Sequence, residues 1–136
     1  MGEVIAVGKK HILVVDDSAV NLKAAGRALR EHQDYVPVLV PSGERALKYL
    51  SQHTAELILL DIMMPGMSGF EVLEKLRENE AARDIPVIFL TADDDENTRL
   101  RAEAAGIREI VRKPFRKESL LAAAARHLAQ RGAYGD

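Results

Sequence analysis

Five polar residues stand at corresponding places in this 136-residue chain. Asp16 and Asp17 directly follow one short apolar run, and Asp61 directly follows another. Thr91 follows a third and Lys113 a fourth. Three carboxylates brought into one crevice repel each other. At 4 Å and an effective dielectric near 20, a like-charged pair costs about 4 kcal/mol. They must take up protons or bind a cation. An all-oxygen donor set without His or Cys suits a hard ion, Mg²⁺ or Mn²⁺. Mg²⁺ also keeps positions open for water or a phosphate oxygen. Lys113 adds a point charge suited to a phosphoryl group, and Thr91 adds a hydroxyl donor. A carboxylate nucleophile, a metal, a lysine and a hydroxyl together make a site for phosphoryl transfer.

These residues can converge only if the intervening chain places them on one rim. The apolar runs are His11–Val15, Tyr35–Val40, Ala55–Leu60, Pro86–Leu90 and Ile107–Val111. They are nearly continuous, which is how parallel strands covered on both faces read. Segments of helical period separate them. Leu22, Ala25 and Leu29 mark the inner face of the first, and Ala46, Leu47 and Leu50 that of the second. Ser68 to Glu71 is a capping-box pattern opening the third, followed by Phe70, Leu73 and Leu76. Asp94 or Asp95 can cap the fourth, with Gly106 at its end. The fifth spans about Arg116 to Gln130, with Leu120, Leu121, Ala124 and Leu128 inside.

Five βα units predict an α/β fold: a doubly wound, five-stranded parallel sheet. Pro37 lies within the second run and cannot donate to a ladder, so that strand belongs at an edge. This favours the flavodoxin-like order 2-1-3-4-5. There the order reverses between strands one and three, and ligands bind beyond the carboxyl ends at such a point. The two Asp-bearing strands become neighbours.

Composition narrows the function classes. Apolar residues are 47% and charged residues 29%, with net charge −2. Nothing favours general binding to nucleic acid or an anionic membrane. The chain has no cysteine, which excludes disulfides, thiolate catalysis and zinc–thiolate sites. Met1–Lys10 lacks the apolar core of a signal peptide, and no run is long enough to cross a bilayer. A cytoplasmic location is the expectation. The expected division is an N-terminal tail 1–10, one domain 11–130 and a C-terminal tail 131–136.

Four motifs now stand in order: Val14-Val15-Asp16-Asp17-Ser18, Leu60-Asp61-Ile62-Met63-Met64-Pro65-Gly66-Met67-Ser68-Gly69, Leu90-Thr91-Ala92 and Lys113-Pro114-Phe115. Together they resemble the receiver domains of bacterial two-component response regulators, over about residues 11 to 130. The resemblance implies that Asp61 is the phosphoacceptor for a histidine kinase or a histidine phosphotransfer domain. It implies Mg²⁺ (Mn²⁺ as a substitute) held by Asp17, Asp61 and the backbone carbonyl of Met63, with Asp16 acting through water. Thr91 would move to bond the phosphoryl oxygen and Lys113 would pair with it. The Lys113–Pro114 bond is expected cis, a minority state of about 5–6% of X–Pro bonds.

One departure concerns the switch. Receivers usually carry an aromatic residue three positions before the lysine. That ring swings inward when the threonine moves and alters the outer face. Here the position is Ile110, without ring or polar tip and stiff at χ1. Signalling is therefore expected to rely on Thr91 and loop movement, or on another face. Met63 and Asp93 stand two residues beyond Asp61 and Thr91, where they would shield the acyl phosphate or orient water.

Simpler roles compete. Asp16 could cap the first helix, although Ser18 is the better cap. Thr91 could cap the fourth, although Asp94 and Asp95 are nearer, and Lys113 could be a solvated surface lysine. Met64 and Met67 read as packing. Arg108, Arg112, Arg116 and Lys117 read as a solvated basic face, and the four scattered histidines carry no metal assignment. The main expectation is a signalling module that switches partner binding and assists only its own phosphorylation and dephosphorylation. The alternative is a degenerate receiver-like interaction domain that is not phosphorylated. A phosphatase with an aspartyl nucleophile would usually place a second Asp where Met63 stands, and no G-x-x-x-x-G-K-[ST] loop is present. No output domain is expected within these residues after the fifth helix, and the chain is expected to be a stand-alone regulator or a piece of a longer protein. A monomer or weak homodimer is expected, with no direct nucleic-acid or membrane partner.

Overall fold

The computed structural model describes residues 8–135. Most of the expected N-terminal tail, residues 1–7, therefore lies outside the described residues. The elements are β1 (Lys10–Val15), α1 (Ala19–Arg30), β2 (Tyr35–Val40), α2 (Gly43–Leu50), β3 (Leu57–Asp61), α3 (Gly69–Arg77), β4 (Val87–Thr91), α4 (Glu96–Ala104), β5 (Ile110–Arg112) and α5 (Lys117–Gly135). The expected boundary at Gln130 lies inside α5.

All strand pairs are parallel, in the order β2-β1-β3-β4-β5. Pro37 pairs with Ile12 on the edge strand β2. The strands read as unbroken apolar runs because alternate residues enter two separate cores. Leu13, Val15, Ile58, Leu60, Val87 and Phe89 pack on one face with Ala46 and Leu50 of α2 and Val72, Leu73 and Leu76 of α3. Ile12, Val14, Leu57, Leu59, Ile88 and Leu90 pack on the other with Ala25 and Leu29 of α1 and Leu120 and Ala124 of α5. Each buried Leu or Ile contributes about 1.5–3 kcal/mol.

Asp61 and Thr91 form the last positions of β3 and β4, paired with Leu90 and Arg112. β5 is shorter than the expected run. Gly106 takes φ +87°, and the Ile107 N–H closes back on the Ala102 carbonyl at 2.9 Å. Ile107 thus terminates α4 instead of starting the strand. Among the described residues, no helix is long and apolar enough to cross a membrane.

Candidate functional site

The loops after β1, β3, β4 and β5 meet at the carboxyl edge of the sheet. Because β1 and β3 are neighbours, Asp16 and Asp61 face each other from adjacent strand ends. Asp16 and Asp61 are 0% and 1% exposed, while Asp17 is exposed. One carboxylate oxygen from each of the three lies within 4.8 Å of the others. This compact, all-oxygen donor set fits a hard divalent cation.

Local structure fixes each group. The Asp16 Oδ1 accepts from the Ser18 N–H at 2.9 Å. Ser18 itself caps α1, its Oγ accepting from the Asn21 N–H at 3.2 Å. The acidic pair is therefore not spent on capping. The Asp61 Oδ1 accepts from the Met63 N–H at 3.3 Å. Gly69 opens α3 against the same loop. Its N–H donates to the Ile62 carbonyl at 2.8 Å, and a Cβ there would lie 2.6 Å from the Asp61 carbonyl oxygen. Ser68 and Glu71 form the full capping box.

Lys113 reaches in from the end of β5. Its Nζ lies 3.0 Å from the Asp61 Oδ2 and 3.1 Å from the Asp16 Oδ2. The Lys113–Pro114 peptide is cis. Burial pushes the Asp61 carboxyl up to about 6. The Lys113 hydrogen bond opposes that rise and the Asp16 charge adds to it. Burial works to lower the Lys113 value, but bonds and charges from Asp61 and Asp16 outweigh it and hold the ammonium above its ordinary value.

Thr91 is buried, and its hydroxyl is engaged by its own loop. It donates to the Asp93 carbonyl at 3.1 Å and accepts from the Asp93 N–H at 3.0 Å. Asp95, not Asp94, caps α4 by accepting from the Thr98 N–H at 2.7 Å. Asp94 instead pairs with Arg99.

Met63 adjoins the cluster through its N–H on the Asp61 Oδ1, and its side chain is 70% exposed on the loop after β3. Other sequence candidates take other places. Met64 is buried and Met67 packs on the same core, as their packing reading expects. Ile110 is half-buried against that core and pairs with Phe89. His32 and His53 stack on Tyr35 and Tyr49, His11 lies 3.8 Å from Glu56 and His127 contacts the Ala123 carbonyl. Lys117 pairs with Glu31. The close approach of Gly69 was not anticipated from sequence. Its one signal was a glycine inside the capping box.

A family model described as response regulator receiver domain matches residues 12–125. The chain is 36% identical over 114 residues to a hybrid signal transduction histidine kinase D of Dictyostelium discoideum, covering 84% of this chain and 7% of that protein. It is 35% identical over 113 residues to the phosphate regulon transcriptional regulatory protein PhoB of Escherichia coli, covering 83% of this chain and 49% of PhoB. It thus spans about half of that regulator and far less of the kinase. Among solved structures, Vibrio cholerae chemotaxis protein CheY4 superposes with a TM-score of 0.83 at 26% identity, covering 89% of this chain and 100% of that one. The receiver domain of the Pseudomonas aeruginosa sensor histidine kinase PA1611, solved with a magnesium ion coordinated in its active-site cleft, gives 0.81 at 28% identity, covering 90% and 99%.

Proposed function

The chain belongs to the response regulator receiver family of two-component signalling, and we propose that Asp61 is its phosphoacceptor. Receiver domains are signalling modules that interact with histidine kinases or phosphotransfer proteins and bind Mg²⁺ in their acidic pocket. The observation that carries the assignment here is the convergence of three carboxylates within 4.8 Å of one another, with the Lys113 ammonium 3.0 Å from Asp61.

An Asp61 carboxylate oxygen attacks the phosphorus of a phosphohistidine. The new bond is P–O, the P–N bond breaks, and the leaving imidazole keeps that electron pair and is protonated. Asp17, Asp61 and the Met63 carbonyl would hold a Mg²⁺, with Asp16 acting through water, and the ion would supply charge neutralisation for the phosphoryl oxygens. Lys113 pairs with a phosphoryl oxygen, trading its bond to Asp61 for one to the product. Thr91 gives its hydroxyl hydrogen to another oxygen and releases the Asp93 backbone. Hydrolysis by water returns the Asp61 carboxylate and inorganic phosphate. The chemistry resets a switch and turns over no outside metabolite.

The domain proper is assigned to residues 11–130, in a cytoplasmic protein whose output is a downstream partner or a fused domain. The test is incubation with Mg²⁺ and acetyl phosphate, read by intact mass. Wild type is expected to gain one hydroxylamine-labile phosphoryl group and Asp61→Asn none. An unmodified, folded wild type would establish the degenerate interaction domain instead.

A further inference from the structure

We infer that phosphorylation of this chain is read out through Phe70 of α3 and the Arg101 guanidinium that covers it from α4, not through position 110. The inference rests on Asp61 being the phosphoacceptor and concerns where the signal goes next.

The aromatic residue of this layer lies one strand inward from position 110. Phe89 of β4 pairs in register with Ile110 and is 0% exposed. Phe89 and Thr91 are two residues apart, so they point to the same face of β4. The Phe89 ring meets Phe70 edge to face, with centroids 5.1 Å apart and planes at 76°. Phe70 directly follows Gly69, the residue that packs α3 against the Asp61 carbonyl. Its ring also carries the Arg101 guanidinium, 4.0 Å from the centroid. Phe70 therefore contacts the strand that bears Thr91, adjoins the loop after Asp61, and supports α4.

α4 is suited to respond. Ala102 is its one buried residue, so little apolar packing holds it to the body. Two side chains tie its second half to α3: Arg101 on Phe70, and Arg77, which donates to the Ala105 carbonyl at 3.2 Å. Its first half hangs from the loop that the Thr91 hydroxyl fastens through both backbone groups of Asp93. When Thr91 turns to the phosphoryl group, both bonds break and the start of α4 is released. The second half stays pinned over Phe70. α4 then pivots on that contact and reshapes the groove of about 700 Å³ bordered by Phe70, Leu73, Arg77, Arg101, Ala104 and Ala105.

Hydrogen–deuterium exchange over residues 92–105, with and without Mg²⁺ and acetyl phosphate, tests the inference, with intact mass recorded on each sample. Wild type should show an exchange change on phosphorylation. Phe70→Leu and the exposed-site variant Arg101→Gln should be phosphorylated to the wild-type extent yet lose that change, while Ile110→Val keeps it. Phosphorylated Arg101→Gln responding as wild type does, or Ile110→Val losing the response, would overturn the read-out path alone. A wild type that takes up no phosphoryl group would instead overturn the assignment of Asp61, and this inference with it.

Discussion

The Lys113 ammonium lies 3.0 Å from the Asp61 carboxylate and 3.1 Å from that of Asp16, so one cation separates two buried anions. Removing it leaves the two carboxylates to repel each other and takes away a fixed charge that the phosphoryl oxygens would meet. Lys113→Ala is expected to slow phosphoryl uptake from acetyl phosphate by roughly 10²-fold, the scale of losing one preorganised electrostatic partner. Stopped-flow or quench-flow labelling at saturating Mg²⁺ measures it. An unchanged rate would remove Lys113 from the chemistry.

The raised Asp61 value makes a second expectation, with a definite sign. The folded carboxyl titrates near 6, against 3.8 for the ordinary group. The folded state therefore binds the proton more tightly than the unfolded chain. Ionised Asp61 costs stability in full above about pH 6, and the cost falls away between there and the unfolded value of 3.8. Two units correspond to about 3 kcal/mol as an upper figure. In chelator-treated protein, Asp61→Asn should be more stable than wild type at pH 7.5, with the gap narrowed to about a third by pH 4.5. Denaturant melts at both pH values measure it, and a gap independent of pH would contradict the burial argument.

Much of the candidate site was legible in the sequence for a physical reason: each of its residues stands at or just beyond the end of an apolar run, and parallel strands gather such ends on one rim. Pro37 fixed the edge, and the edge fixed which Asp-bearing strands touch. Less was legible where partners lie far apart in the chain. The Thr91 hydroxyl bonds to Asp93 are local, yet nothing in the residue types distinguishes them from a cap. The Phe70, Phe89 and Arg101 stack joins three elements, and each residue alone reads as core or surface. Ile107 looked like strand because it is β-branched and apolar, but the left-handed Gly106 before it turned it into the closure of α4.

Divalent cation binding should appear as linkage. A ligand at about 100 times its Kd stabilises a folded state by about 2.7 kcal/mol, which for a domain of this size is a rise of several degrees in Tm. Wild type should show that rise on adding MgCl₂, and Asp17→Asn should lose most of it. Asp17 is exposed, so its substitution leaves the core untouched and the loss reads on the metal alone. Equal shifts in wild type and Asp17→Asn would place the cation elsewhere.

Gly69 couples the stability of α3 to the geometry of the acceptor. A methyl group there would stand 2.6 Å from the Asp61 carbonyl oxygen and 2.8 Å from the Ile62 Cα. Both are backbone atoms, so no side chain can rotate away. The strain must move either the start of α3 or the Asp61 loop. Gly69→Ala should therefore cost about 1–3 kcal/mol, the range for overpacking a tight site, and it should also slow phosphorylation because the displaced backbone carries Asp61, the proposed acceptor. Ser68→Ala is the control. It removes the Oγ that accepts from the Glu71 N–H at 3.2 Å and should cost about 1 kcal/mol, without pressing on Asp61. Comparing the two variants at matched fractions folded separates the effects: a slower phosphoryl uptake in Gly69→Ala than in Ser68→Ala is expected, and equal rates would show that the Asp61 backbone tolerates the extra atom.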